Sequence, residues 1–330
     1  MTQSRESAET DRSSKISSGS CSGQPIIEVE NFTKRYGNFI AVDDISFTLD
    51  EGSIFAFLGP NGAGKSTTIN TLCTIYDDYE GRLAINGFDV ARDKNQVRSS
   101  IGIVFQETTL DQKMTIEENL RMHCVFYQVP RAEVEERIQF VLTLVDLLDW
   151  RKRSVAALSG GMKRRVEIAR GLIHYPKVLF LDEPTSGLDP QTRAHVWEYI
   201  LRLQKEKNIT IFLTTHYMDE AEICNQVAII DHGKIIAHDT PFDLKKSYTQ
   251  DRAYITTTNP LLLETLLDEH GFPYQAKERF HRVDIIDTPK LLNILAECRH
   301  EVTDIEIRKG TLNDVFLEIT GREIREGGDS

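Results

Sequence analysis

Hydrophobic and polar residues alternate along two early segments of the chain, IIEVENFTKRY from Ile26 and DISFTLD from Asp44. This alternation predicts strands with one buried face. The segment ITIFLTTH from Ile209 predicts a further strand, which ends in a histidine. Three other segments are almost continuously apolar: SIFAFLG from Ser53, SSIGIVFQ from Ser99 and KVLFLDEP from Lys177. Such runs are typical of strands buried on both faces, as in a parallel sheet.

Between these strands, apolar residues recur every three or four positions in TIEENLRMHCVFYQ and AEVEERIQFVLTLVDLL, which predicts amphipathic helices. Helices are also predicted in KSTTINTLCTI and TRAHVWEYILRLQKEK. Thr115 and Glu118 have the spacing of a capping box. The segment QVAIIDHGKIIAHD predicts a hairpin that turns at Asp231, His232 and Gly233. Strands that alternate with helices predict an α/β fold with a largely parallel sheet, to which the early strands add an antiparallel sheet.

A second unit is predicted after TPFDLKKSY. Its segments are RAYITTT (strand), PLLLETLLDEHG (helix), YQAKER and RVDII (strands), TPKLLNILAECRH (helix) and VTDIEIRK (strand), before a closing helix in TLNDVFLEITGRE. The order β-α-β-β-α-β is that of a small ferredoxin-like domain. The predicted organisation is therefore a disordered, Ser-rich tail over 1–25, a main domain over 26–247 and an accessory domain over 248–330.

Composition and charge narrow the classes of function that are compatible with the chain. The 330 residues carry a formal net charge of -12, which argues against the broad basic face that nucleic acid requires. No apolar run approaches the roughly 18 residues of a membrane span or resembles a signal peptide, so we expect a cytosolic protein. The five cysteines are scattered without a C-x-x-C pair, which favours reduced thiols over disulfides or a zinc site.

The segment GPNGAGKST between a buried strand and a helix matches the phosphate-binding pattern G-x-x-x-x-G-K-[ST]. Backbone N–H groups and the helix N-terminus can wrap phosphates, Lys65 can reach the β- and γ-phosphates, and the Ser66 hydroxyl can bind Mg²⁺. The predicted nucleotide contacts in this loop are Gly59, Pro60, Asn61, Gly62, Ala63, Gly64, Lys65, Ser66 and Thr67.

The buried strand VLFLDE ends in two carboxylates. Asp182 is placed to hold Mg²⁺ through its water shell, and Glu183 is the expected general base for an attacking water. A second glycine-rich stretch, LSGGMKRR, has the features of an anion site, because Ser159 can cap a helix whose Gly160 and Gly161 allow close approach. It lacks the lysine and hydroxyl of the first loop.

Together these segments resemble the ATP-binding-cassette ATPases over about Ile26 to Thr240. GPNGAGKST is similar to their Walker A loop, VLFLDE to their Walker B strand, LSGGM to their signature, and SGLD, ending at Asp189, to their D-loop. The resemblance implies that Gln106 is the Q-loop glutamine that contacts Mg²⁺ or the attacking water. It also implies that His216 contacts the γ-phosphate, that Tyr36 stacks on adenine and that Asp189 of the D-loop contacts the nucleotide.

Met162 departs from the commonest signature, which has glutamine there. The same methionine and the segment LNDVFLEITGRE resemble the subfamily of drug-resistance ATPases typified by daunorubicin export. Methionine lacks the hydrogen-bonding amide of glutamine, whereas Ser159, Gly160 and Gly161 are retained.

The resemblance implies an ATP- and Mg²⁺-dependent ATPase that pairs head to tail with a second copy, so that LSGGMKRR serves the partner's nucleotide. It also implies separate transmembrane permease subunits, a place on the cytoplasmic face of the cell membrane, and export of a hydrophobic drug, lipid or polysaccharide. Two alternatives are a cassette ATPase that acts on ribosomes or DNA and a nucleotide-gated regulator with little turnover. A single Walker A loop and a short helical segment between Gln106 and Ser159 argue against the first, and complete Walker B and switch residues against the second.

Overall fold

The computed structural model describes residues 24–321, so almost all of the predicted tail, Cys21 and the segment after Gly321 lie outside the described residues. The fourteen described strands form three sheets. In chain order they are β1 (Ile27–Tyr36), β2 (Phe39–Leu49), β3 (Ile54–Leu58), β4 (Glu80–Ile85), β5 (Phe88–Asp89), β6 (Ile101–Val104), β7 (Val178–Asp182), β8 (Thr210–Thr215), β9 (Gln226–Asp231), β10 (Lys234–Asp239), β11 (Arg252–Thr257), β12 (Tyr274–Ala276), β13 (His281–Asp284) and β14 (Val302–Arg308).

Helices connect these strands and cover the sheets. They are α1 (Lys65–Leu72), α2 (Lys94–Ser100), α3 (Ile116–Phe126), α4 (Val134–Leu144), α5 (Gly160–Leu172), α6 (Pro190–Lys207), α7 (Met218–Glu222), α8 (Pro241–Tyr248), α9 (Pro260–Glu269), α10 (Thr288–Glu297) and α11 (Leu312–Thr320). The capping box predicted at Thr115 is present, with both reciprocal bonds to Glu118. Helix α4 ends earlier than its apolar pattern predicts, because Asp146 adopts a left-handed backbone with φ of 52°.

The central sheet has six strands in the order β10-β9-β3-β8-β7-β6, and all neighbours are parallel except the hairpin of β9 and β10. Strands β3, β7 and β8 are buried along their whole length, which explains their continuous apolar sequences. The predicted α/β fold with a mainly parallel core sheet is confirmed. Because parallel strands share one direction, the carboxyl ends of β3, β6, β7 and β8 meet at one edge, where ligands bind in such folds.

The predicted antiparallel sheet is also present, in the order β2-β1-β4-β5. Its apolar face packs on one side of the central sheet through an aromatic cluster, in which Phe47 stacks on Phe55 with ring centroids 5.3 Å apart and Phe212 lies 5.0 Å from Phe55. Helices α3, α4 and α5 pack on the other side and share the main core with α6. This helical part carries the LSGGM segment at the start of α5.

The C-terminal unit has the predicted order β11-α9-β12-β13-α10-β14, folded into an antiparallel sheet of order β12-β13-β11-β14. Its own core contains residues of the sheet and of the two helices, such as Ile255, Leu267 and Ile294, all with no exposed surface. The connectivity and strand order are those of a ferredoxin-like fold.

Helix α11 follows this unit in the chain but packs on α7 and α8 of the main domain. Leu312, Val315 and Phe316 are at most 1% exposed and belong to the main core. The Leu312 N–H donates to Glu222 Oε1 at 3.3 Å, and Lys245 pairs with the same Glu222 carboxylate. The last described helix therefore completes the core of the first domain.

Candidate active site

The GPNGAGKST loop lies between β3 and α1, as the sequence predicts. Two of its glycines are required by the backbone: Gly64 has φ of 110°, and a Cβ there would lie 2.7 Å from the Ala41 carbonyl oxygen, while Gly62 has φ of 80°. In the part of the chain that the structure describes, no side chain caps α1, so its first N–H groups face the loop without a side-chain acceptor. This arrangement can accept an anion at the helix N-terminus.

Lys65 lies inside this loop and is only 5% exposed. Its ammonium donates to the carbonyl oxygens of Gly59 at 2.7 Å and Pro60 at 3.1 Å. Burial lowers the pKa of Lys65, and the nearby Glu183 carboxylate opposes that shift. The result is a buried cation at the centre of the loop, held by the loop's own carbonyl groups.

Asp182 ends β7 and faces the loop across a short gap. Its Oδ1 atom accepts hydrogen bonds from the Thr214 hydroxyl at 2.5 Å and from the Ser66 hydroxyl at 3.3 Å. The Thr214 hydroxyl in turn accepts the Glu183 N–H at 3.1 Å. Thr214, which sequence reasoning missed, therefore aligns the ends of β7 and β8, and the Ser66 and Asp182 oxygens lie side by side.

Three polar side chains of the site contact the Glu183 carboxylate. Its Oε1 lies 3.5 Å from Lys65 Nζ and 3.4 Å from His216 Nδ1, and its Oε2 accepts from Gln106 Nε2 at 3.2 Å. These three partners come from three separate segments, at the ends of β3, β8 and β6. The His216 imidazole, together with the Lys65 ammonium, holds the pKa of the Glu183 carboxyl below its usual value. At neutral pH this carboxylate is therefore ionised.

Tyr36 ends β1 and is 45% exposed. Its ring contacts the Tyr76 ring edge-on at 6.0 Å, and the Lys34 ammonium lies 5.2 Å from the Tyr36 centroid. Burial and the Tyr76 hydroxyl raise the pKa of Tyr36, whereas a hydrogen bond with Thr67 of the phosphate loop opposes this shift. Tyr36 thus offers an accessible aromatic face beside the loop, as the adenine prediction requires.

The signature segment begins α5, with the Ser159 hydroxyl accepting the Met162 N–H at 3.3 Å, so the predicted N-cap is present. Its two glycines differ in their surroundings. A Cβ at Gly161 would lie 2.2 Å from Thr192 Cγ2, whereas a Cβ at Gly160 would meet only Leu188 Cδ2, at 3.8 Å. Packing among the described residues therefore explains the glycine at 161 but not the one at 160.

Met162 of the signature and Asp189 of the D-loop both have structural roles. Met162 is partly buried and packs against the main core, which accounts for an apolar residue in place of glutamine. Asp189 caps α6, because its carboxylate accepts the Thr192 N–H at 3.0 Å and the Thr192 hydroxyl at 2.6 Å. These bonds lower the pKa of Asp189. Its predicted contact with nucleotide stays a prediction.

Sequence reasoning also missed the buried polar residues that support the site. Glu220 is 2% exposed and accepts hydrogen bonds from the hydroxyls of Thr215 at 2.6 Å and Thr185. It thereby ties the segment after Glu183 to the segment that carries His216. Arg164 on α5 is 6% exposed and donates to the backbone carbonyls of Asp182 and Glu183. The sequence did not indicate these two residues, because charged side chains are ordinarily exposed.

Comparison with known proteins gives one family match and many relatives. Residues 42–186 match the model of the family described as ABC transporter. The linearmycin resistance ATP-binding protein LnrL of Bacillus subtilis (strain 168) is 33% identical over 312 residues, which are 91% of this chain and 100% of that protein. The daunorubicin resistance ATP-binding protein DrrA2 of Streptomyces coeruleorubidus is 35% identical over 89% of this chain and 95% of its own length.

A third relative and two solved structures extend the comparison. The Nod factor export ATP-binding protein I of Ralstonia nicotianae is 36% identical over 92% of this chain and 96% of its own length. The structure of cbiO1 from Clostridium perfringens, part of the transporter complex cbiONQ, matches with a TM-score of 0.62 and 31% identity over 67% of this chain and 90% of that chain. A dimeric post-hydrolysis state of the cassette MJ0796 bound to ADP and Pi matches with a TM-score of 0.59 and 26% identity over 65% and 98%.

Proposed function

The chain belongs to the ATP-binding-cassette transporter ATPases, and from this premise we propose that it drives a membrane exporter whose permease is formed by separate subunits. The relatives named for linearmycin resistance, daunorubicin resistance and Nod factor export support export as the direction. Within residues 24–321, no helix combines the length and apolar character needed to cross a membrane. A hydrophobic drug, lipid or polysaccharide is the proposed cargo, and the cytoplasmic face of the membrane is the proposed location.

The observation that carries the hydrolytic function is the convergence of Lys65, Gln106 and His216 on the Glu183 carboxylate. Lys65 binds the β- and γ-phosphates, whose negative charge replaces Glu183 as the partner of the ammonium. Glu183, ionised at neutral pH, then orients the attacking water and accepts its proton. His216 contacts the γ-phosphate, and Gln106 reports its presence to the permease.

The oxygen atoms beside this carboxylate fit Mg²⁺. The Ser66 hydroxyl lies 3.3 Å from Asp182 Oδ1, and hydroxyl and carboxylate oxygens are the donors that Mg²⁺ prefers. Ser66, Asp182 and the Gln106 side-chain oxygen would hold the ion, directly or through water. When bound, Mg²⁺ neutralises phosphate charge that develops during hydrolysis.

The rest of the nucleotide lies along the same edge of the sheet. The N–H groups of Asn61 to Ser66 wrap the phosphates, and glycines at 62 and 64 permit the backbone turns that this requires. The exposed face of Tyr36 stacks on adenine. Asp189, as the cap of α6, fixes the D-loop beside the site.

A second copy of the chain is the proposed partner at the signature. Gly160 has free space where a side chain would be, and no packing among residues 24–321 requires a glycine there. Close approach of a γ-phosphate bound to another chain accounts for this glycine and uses the N-terminus of α5 as an anion site. The dimeric form of a similar cassette supports the pairing. Ser159 and Gly161 complete the loop.

Mixing two damaged variants tests this arrangement. Lys65→Ala removes a phosphate contact, and Gly160→Asp places a carboxylate against the phosphate, so each homodimer should be almost inactive. In a heterodimer, a signature that acts on the partner's nucleotide leaves one site with both defects and one intact. Recovery of up to about half the wild-type activity per heterodimer is expected. No recovery in a sample of verified heterodimers, with wild type active in the same assay, would contradict it.

The hydrolytic assignment is tested with Glu183→Gln, which preserves shape and removes the base. Steady-state ATPase activity should fall by about 10²-fold or more, while ATP binding, measured by equilibrium titration, persists. ATP-bound dimers should accumulate and be visible by size-exclusion chromatography. Turnover within a few-fold of wild type would show that Glu183 is not the base.

A further inference from the structure

Arg164 lies one turn into the signature helix α5 and is 6% exposed. All five of its N–H donors have partners. Nε donates to the Pro184 carbonyl at 2.6 Å, Nη2 to the carbonyls of Asp182 at 3.0 Å and Glu183 at 3.1 Å, and Nη1 to the Phe105 carbonyl and to Glu167 Oε2 at 3.2 Å. A buried guanidinium that uses every donor is held in one geometry, and so are the groups that it contacts.

Three of these acceptors are the carbonyl groups at and on either side of Glu183. Glu183 has φ of 45°, in the left-handed region that residues with a Cβ rarely occupy. Such a conformation persists only where surrounding contacts hold it. The three bonds from Arg164 hold the backbone on both sides of Glu183, and this backbone directs the carboxylate toward Lys65 and His216.

Of the other two acceptors, one is in the Q-loop segment and the other, on α5, binds that segment. Phe105 immediately precedes Gln106, and Glu167, which pairs with Arg164, accepts the Thr109 N–H through its other oxygen at 2.8 Å. The Arg164–Glu167 pair therefore contacts both sides of the segment that carries Gln106. One side chain thus joins the start of α5 to the backbone beside two of the proposed hydrolytic residues.

We propose that Arg164 is a positioning residue for ATP hydrolysis, which sets the geometry of the Glu183 carboxylate through the backbone carbonyls on either side of it. The inference rests on the proposed role of Glu183. It also places the signature helix, whose first turn serves the partner's nucleotide, in direct contact with the hydrolytic residue of its own chain. Lysine cannot replace Arg164 here, because one ammonium has three donors and lacks the planar fork that spans these five acceptors.

The test is a double-mutant cycle on the purified full-length protein, with Arg164→Lys, Glu183→Gln and the two combined. Arg164→Lys alone should lower kcat for ATP hydrolysis by tenfold or more and change the dissociation constant for ATP less than threefold. In the Glu183→Gln background, the same substitution should change the residual turnover less than twofold, because the carboxylate that Arg164 positions is already gone. Equal fold losses in both backgrounds, or weaker ATP binding at unchanged kcat, would overturn the proposal.

Two further variants separate positioning from folding. The control is Arg137 on α4, which is also largely buried, pairs with Glu133 at 2.7 Å and donates to the Ile173 carbonyl at 3.3 Å. Because these contacts lie away from Glu183, Arg137→Lys should keep kcat within twofold of wild type. If Arg164→Lys does not fold, Arg164→Met with Glu167→Gln removes the buried charges together and keeps an acceptor for the Thr109 N–H. That pair should show the same loss of kcat and the same dependence on Glu183. A wild-type protein without ATPase activity, or an ineffective Glu183→Gln, would instead refute the proposed function.

Discussion

The two signature glycines provide a sharp prediction, because alanine should have opposite effects at neighbouring positions. At Gly160 the new methyl group meets only Leu188 Cδ2 at 3.8 Å, which is ordinary contact distance. Gly160 is the first residue of α5, and replacing glycine with alanine in a helix stabilises by up to about 1 kcal/mol. Gly160→Ala should therefore leave the free energy of unfolding unchanged or slightly higher.

At Gly161 the methyl group would lie 2.2 Å from Thr192 Cγ2. Thr192 can move aside only by giving up the 2.6 Å bond from its hydroxyl to Asp189, which caps α6. Overpacking of this kind costs about 1–3 kcal/mol, and the gain in helix propensity offsets only part of it. Gly161→Ala should therefore lower the free energy of unfolding and disturb the D-loop.

ATPase activity gives a second criterion, because Gly160→Ala should lose activity without losing stability. Gly160→Ala places a methyl group where we propose that the partner's γ-phosphate approaches, so the methyl group would hold the phosphate away from the backbone N–H groups there. Loss of one such donor to a transition state costs roughly 10²–10³ in rate. The assay is urea unfolding in the absence of nucleotide, paired with steady-state ATPase activity of the same samples. A Gly160→Ala protein that is as destabilised as Gly161→Ala, or that hydrolyses ATP at the wild-type rate, would refute this reasoning.

Three further predictions concern stability. Phe316→Ala should lower the free energy of unfolding of the main domain by about 3–5 kcal/mol, whereas Leu267→Ala in the C-terminal core should leave it almost unchanged. Tryptophan fluorescence follows this transition, because both tryptophans lie in the main domain. Equal effects of the two substitutions would show that α11 is not part of the main core. Burial lowers the pKa of His174 to about 4, so the unfolded chain binds this proton at higher pH than the folded chain, and stability should fall as the pH drops from about 6.5 to 4. His174→Asn should reduce that fall by up to roughly 3 kcal/mol in denaturation curves measured across this pH range. An unchanged dependence of stability on pH would contradict the assignment. Hydrogen bonds from Arg151 lower the pKa of Glu117 to about 2, so the ionised carboxylate stabilises the fold above about pH 4.5, and this stabilisation is lost as the pH falls toward 2. Glu117→Gln should therefore lower stability at pH 7 and weaken the fall in stability at acid pH. An unaltered fall at acid pH would contradict this prediction.

Much of the site was predictable from the sequence because its motifs combine a pattern with a position at a strand end. GPNGAGKST follows β3, Asp182 ends β7 and His216 follows β8, so the parallel order of the strands alone brings them to one edge. The periodicity of 2 or 3.6 likewise indicated most strands and helices and the ferredoxin-like order. The short strands β4 and β5 were missed, since β4 is half exposed and is defined by its pairing with the distant β1.

The residues that sequence reasoning missed are those whose role depends on a partner far along the chain. Arg164 and Glu220 are charged, and nothing in their neighbourhoods predicts that burial and hydrogen bonding will satisfy them. The apolar face of α11 predicts a buried helix, but periodicity does not say which core it enters. In each case local sequence fixes which side chains need a partner, and only tertiary structure decides which group supplies it.

The placement of α11 has a consequence for synthesis of the protein. The main domain lacks Leu312, Val315 and Phe316 until the chain has been translated well beyond Tyr248, although these residues complete its core. About seventy residues separate Tyr248 from Phe316, so at synthesis rates of roughly 5–20 residues per second the ribosome needs about 4–14 s to supply them. Until then the apolar residues of α7 and α8 that contact α11 lack this cover. Full packing of the main domain therefore waits for translation of α11, and chains that terminate before it would expose this apolar surface.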